Sequence, residues 1–217
     1  MRKDRVGNRE PRSKRKNKRC PNLGYYLIVT DTEGTERCYF EGIRDSIKPE
    51  LRDRLVIRVI ETDTDKMISK CLELMEYDSQ YRIPWIVFDR DRVPTFDGII
   101  DKASRNDIQV GWSNPCFEIW LYAYLGKMPA IHESWTCGEK FGVAYKHATG
   151  QAYSKTSSDI YSRLCKYGDE PAAIRLAELK LQQCIREGKT LPSEMYPATT
   201  VHDLIREIKV AIECGAN

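Results

Sequence analysis

The chain has 217 residues, a net charge of +3 and 41% apolar residues, enough to bury a sizeable core as one large domain or as a core with an appended lobe. No run of about 18 apolar residues is present and the N-terminus lacks an apolar signal core, so no membrane span or secretory leader is expected, and a cytoplasmic location is. None of the eight cysteines forms a Cys-x-x-Cys pair, which argues against zinc and disulfide frameworks and for free thiols.

The charge is uneven. Residues 1–19 hold ten Lys/Arg against Asp4 and Glu10, a local charge of +8 that leaves −5 for the rest. Such a block reads as a disordered basic tail, bounded at residues 1–22, that contacts nucleic acid or is merely solvated. Tyr25 to Thr30 is a compact apolar run and reads as a first strand. A polar turn dense in carboxylates follows, then a helix from about Glu36 to Ile47, closed before Pro49. Leu55 to Ile60 reads as a second strand. Thr62 to Asp65 resembles a helix start, with an apolar face from Met67 to about Gln80.

Pro84-Trp85-Ile86-Val87-Phe88 is rich in β-branched and aromatic residues and reads as a buried strand, and it ends in Asp89-Arg90-Asp91. A short helix is expected over 97–106 and a fourth strand over 108–112. Ser113-Asn114-Pro115 carries helix-start chemistry ahead of an apolar helix over 116–125. This alternation predicts an α/β fold with a four-stranded, mainly parallel sheet flanked by helices, over residues 23–126. Residues 126–155 show little pattern. Helices are expected over 157–166, 171–187 and 200–214 with no strand, so 127–217 reads as a mostly helical C-terminal lobe.

Three strand ends carry acids: Asp31, Glu33 and Glu36 after the first, Asp89 and Asp91 after the third, and Glu118 after the fourth. In a parallel sheet these ends share one edge, where ligands bind. Converging hard oxygen ligands suit Mg²⁺ or Mn²⁺, able to activate water for in-line attack at phosphorus. Any one of these acids, taken alone, is more simply a cap or a solvated residue. Asp-x-Asp after an apolar strand is also the haloacid-dehalogenase phosphatase pattern. That pattern expects a Thr where Val93 stands, and a later acidic pair that this chain lacks.

The runs YLIVTDTEGTERCYFEG, WIVFDRD and VGWSNPCFEIWL together resemble the RloB-like (AbiLii-type) proteins of bacterial defence loci, with the Ser113-to-Glu118 run as the most specific part. Tyr153-Ser154-Lys155 resembles the family's Tyr-x-Lys, and Thr199-Thr200-Val201-His202-Asp203-Leu204 its Thr-Thr-Val-His-x-Leu. The resemblance spans about residues 24 to 213 and implies a Toprim-like core. Family members commonly read Glu-Gly-Glu-Lys-Thr-Glu after the first strand. Here Asp31 takes the place of the first Glu, Thr32 of Gly and Gly34 of Lys, so the first-strand ligand is either Asp31 or Glu33.

The resemblance implies a Mg²⁺-dependent nuclease acting on RNA, including tRNA, or DNA, with an ABC/SMC-like ATPase as partner in anti-phage or abortive-infection defence. Metal ligands would be Asp89 and Asp91, with Asp31 or Glu33 completing the shell. Glu36, Asp89, Asp91 and Glu118 would serve catalysis, and Lys155 would neutralise charge on the scissile phosphate. A non-catalytic nucleic-acid-binding or adaptor subunit of the same complex is the alternative. Asn114 either bonds a ligand or shapes the turn, and His202 reads as structural.

Overall fold

The computed structural model describes residues 22–31, 34–76, 82–91 and 93–216. The basic tail of residues 1–19 and the expected helix end at 77–80 lie outside them, as does Glu33. Four parallel strands form the sheet: β1 (Gly24–Thr30), β2 (Leu55–Glu61), β3 (Ile83–Asp89) and β4 (Gln109–Asn114). A fifth strand, β5 (Ala198–Thr199), pairs antiparallel with β4, and the order is β2-β1-β3-β4-β5. The expected α/β class is therefore present and consistent with a Toprim-like core, with one strand more than the four expected. β5 corrects the expectation of a strand-free C-terminal segment: two residues are too few for an alternation that a sequence pattern reveals.

Alternation along the strands sorts the core into two faces. Tyr26, Ile28, Trp85 and Val87 point to one cluster, and Leu27, Val29, Ile86 and Phe88 to the other. The first face is covered by α1 (Thr35–Ser46), α4 (Glu118–Tyr124) and α8 (Val201–Ala216), the second by α2 (Met67–Met75) and α3 (Phe96–Ser104). The first cluster is dense in aromatic residues. Tyr39 meets Phe117, Trp120 and Tyr161 edge-on, and its hydroxyl bonds that of Tyr124 at 2.7 Å. Among the described residues, no helix is long and apolar enough to cross a membrane, and the seven described cysteines are free.

α5 (Ser134–Thr149) occupies the stretch where the sequence shows little pattern. α6 (Ile160–Tyr167) and α7 (Glu170–Arg186) follow near their expected bounds. Asp169 caps α7 by accepting from Ala172 N at 2.8 Å. Asp169→Ala is expected to lower stability by about 1 kcal/mol in denaturant unfolding. Two expected caps are corrected. Residues 113 and 114 end β4 instead of capping α4, whose flanking Phe117 offers no side-chain acceptor. Thr64–Lys66 forms a single 3₁₀ turn that leads into α2 with no side-chain cap.

The threonines before α8 finish the edge of β4. Thr199 Oγ1 donates to Trp112 O at 2.9 Å, Thr200 Oγ1 donates to Val110 O at 2.9 Å, and Thr200 N donates to Trp112 O at 2.9 Å. α8 also reaches back to the first strand, where Tyr26 Oη donates to Glu207 Oε1 at 3.1 Å. Its apolar residues Val201, Leu204, Ile205 and Ile208 belong to the same cluster as β1 and β3.

Candidate functional site

The sheet order sets the site. β3 lies between β1 and β4, so the carboxyl ends of these three strands are neighbours. Asp89 is the last residue of β3 and sits opposite Ser113, and Thr30 at the end of β1 sits opposite Val87. Glu36 is the second residue of α1 and Glu118 the first of α4. Both helices start just past their strands, so their first turns overhang Asp89. A cavity of about 260 Å³ there is lined by Asp31, Glu36, Asp89, Asp91, Glu118 and Lys155, with Thr35 and Phe117 among its other walls.

The acids differ in surroundings. Glu36 and Glu118 are buried, at 6% and 2% exposure. Burial raises the Glu36 carboxyl to about 7, and the nearby Glu118 and Asp31 charges push the same way. Burial first, then Glu36 and Glu118, hold Asp89 well above the usual carboxylate range, while the Phe117 backbone N–H donates to it. Asp89 Oδ1 is sealed from solvent without a hydrogen-bond partner. A buried orphan oxygen of this kind is costly. A side chain at Gly34 would meet the Glu36 carboxylate, so glycine there leaves Glu36 Oε2 its present position.

Glu118 is held by the segment after α5. Tyr153 Oη donates to Glu118 Oε1 at 3.0 Å and stands 2.6 Å from Thr35 Oγ1, tying α4 to α1. Lys155 Nζ lies 3.6 Å from the same Oε1, and the Glu118 charge raises its ammonium pKa. Tyr153 carries no role in the sequence reading; its place two residues before Lys155 is the signal that points to it.

Asp31 accepts from Thr64 Oγ1 at 2.5 Å and lines the cavity. Asp91 is exposed at the mouth, where its N–H donates to Pro115 O at 3.1 Å. Glu33 lies outside the described residues. Asn114 Nδ2 donates to Pro192 O and Ser193 O at 3.2 and 3.0 Å, so it ties β4 to the segment before β5. His202 is buried, with Nδ1 2.9 Å from Thr199 O, and burial lowers its pKa.

The donor set fits a hard divalent cation in its chemistry: all oxygen, several carboxylates, one of them with an orphan atom. Among the described residues, no three His, Cys, Asp or Glu side chains are grouped so as to hold a metal ion as they stand. Cys116 borders the acids on the side of α5, but its contact with Cys137 and its burial push the thiol pKa up, which disfavours a nucleophilic role.

The family model described as RloB-like protein matches residues 26–208. Comparison with curated proteins and with solved structures gives no match.

Proposed function

Because the chain belongs to the RloB-like family, we propose that it is a Mg²⁺-dependent nuclease that hydrolyses phosphodiester bonds in RNA, including tRNA, or in DNA. The observation that carries this reading is the convergence of Glu36, Asp89 and Glu118 from three strand ends beside Lys155, with Asp89 Oδ1 buried and unpartnered. Asp89, Glu36 and Glu118 would hold the ion, with Asp31 and Asp91 at the rim. A bound Mg²⁺ or Mn²⁺ supplies Lewis-acid stabilisation of charge at phosphorus and a more acidic water.

The chain's own groups do the remaining work. Tyr153 fixes Glu118 Oε1 and, through Thr35, the start of α1, so the acids keep their spacing. The Lys155 ammonium, largely exposed beside Glu118, faces the cavity as a point charge for a phosphate oxygen. In this proposal the protein is an effector of anti-phage or abortive-infection defence in the bacterial cytoplasm, working with an ABC/SMC-like ATPase.

The test is cleavage of tRNA, other RNA and DNA by purified protein with Mg²⁺ or EDTA, with and without that ATPase. Lys155→Ala is expected to lower kcat by about 10²-fold, read in the same assay. A second reading, a non-catalytic adaptor, has one observation on its side: Lys155 already pairs with Glu118 and offsets part of the acidic charge. Calorimetry in which neither Mg²⁺ nor Mn²⁺ binds, together with no cleavage of any substrate, selects the adaptor.

A further inference from the structure

The acids border a second space. A cleft of about 560 Å³ shares Asp89, Asp91, Glu118 and Lys155 with the smaller cavity and continues along α5 to Trp135. Its volume is in the range of small-molecule sites, roughly 300–1,000 Å³. Trp135 is 74% exposed, whereas Trp85, Trp112 and Trp120 are at 3%, 5% and 0%. An indole left in water forgoes the burial that its size normally secures.

The wall between Trp135 and the acids is kept low. Gly138 and Gly142 lie along this cleft inside α5, where glycine disfavours the helix. A Cβ at Gly138 would stand 3.9 Å from Glu118 Oε1, and one at Gly142 3.9 Å from Tyr153 Cβ. Longer side chains at these positions would grow into the space that joins the indole to the carboxylates. Independently, Asp89 borders both spaces, and its Oδ1 has no hydrogen-bond partner within the chain, so the site is left for a ligand to complete.

Resting on the nuclease reading, we propose that Trp135 is a stacking platform for an unpaired nucleobase next to the phosphate held at Asp89, Glu118 and Lys155. The substrate class is therefore a single-stranded segment, such as a loop or an end. A base inside a duplex has both faces covered by its neighbours and offers none to an indole. The smaller, acid-lined cavity takes the reacting phosphate, and the larger cleft takes the flanking nucleoside.

The experiment uses the full chain in EDTA, so that binding is read without cleavage, at salt high enough to suppress attraction by residues 1–19. Short single-stranded RNA and DNA oligonucleotides are titrated against tryptophan emission and, with labelled strands, against anisotropy. The single strands are expected to quench the emission, and the matched duplex is not. Trp135→Ala is expected to raise the Kd for the single strand roughly 5- to 150-fold, with Trp135→Phe recovering most of it. No quenching in the wild type, equal quenching by the duplex, or an unchanged Kd in Trp135→Ala overturns the proposal. Trp135-dependent quenching in a protein that cleaves nothing keeps the stacking site and removes the nuclease. Mg²⁺-dependent cleavage undiminished in Trp135→Ala does the reverse.

Discussion

Asp89→Asn is expected to leave the protein folded and to lower Mg²⁺-dependent cleavage by about a thousandfold. Asn keeps the size of Asp and can still accept from the Phe117 N–H, so the packing at the end of β3 is preserved. What it removes is the negative charge at the meeting point of β1, β3 and β4. An anionic oxygen ligand is worth several kcal/mol to a bound divalent ion at phosphorus, and each 1.36 kcal/mol is a factor of ten in rate. The same substitution removes a charge that Glu36 and Glu118 repel, so the metal-free variant is expected to melt higher than the wild type at neutral pH. Circular dichroism melting in EDTA and single-turnover cleavage in Mg²⁺ measure the two halves. Cleavage within tenfold of wild type would remove Asp89 from the site.

The second large effect is on stability against pH, through Glu36. Its carboxyl is raised from 4.5 to about 7 in the folded protein. Between these values Glu36 binds more proton in the folded chain than in the unfolded one, so its contribution to stability is fully present below about pH 4.5 and is lost as pH rises through about 7. A shift of that size corresponds to about 3 kcal/mol, at 1.36 kcal/mol per pH unit. Glu36→Gln is expected to be more stable than the wild type by about that amount at pH 8 without divalent ions, and to differ little at pH 4. Mg²⁺ is expected to raise the wild-type melting temperature at pH 8 and to raise that of Glu36→Gln less. Urea unfolding at the two pH values, with EDTA or Mg²⁺, decides the matter; parallel curves for the two proteins would mean that Glu36 is not strained by its surroundings.

The strands were legible because their chemistry is local. Tyr25 to Thr30 and Trp85 to Phe88 are apolar and β-branched, and Asp89 stops the second run at the sheet edge. The sequence placed the acids on one sheet edge, but the strand order that makes three of them neighbours is not written in local pattern. Glu36 and Glu118 are 82 positions apart, and they meet because β3 lies between β1 and β4. The two aspartates of Asp-Arg-Asp also look equivalent as letters. The strand ends at Asp89, however, and Asp91 falls in the turn beyond it, so one residue is half-buried with its Oδ1 sealed and the other is exposed. α5 stayed hidden for a different reason. Its buried residues Cys137, Phe141 and Tyr145 are spaced by four, but Gly138 and Gly142 depress its helical character and Trp135 and Val143 place apolar residues on the outer side.

The threonine bonds along β4 bear on how this chain meets others of its kind. A bare sheet edge is a row of unused amides and carbonyls onto which another chain can add a strand, the usual start of runaway self-association. Here β5 covers the end of that row. The hydroxyls of Thr199 and Thr200 take up Trp112 O and Val110 O, and Thr200 Oγ1 also accepts from Trp112 N. The end of a parallel strand next to β3 is thereby occupied by two residues of strand and two short side chains. Copies of this protein crowded together in a cell are denied that edge as a template.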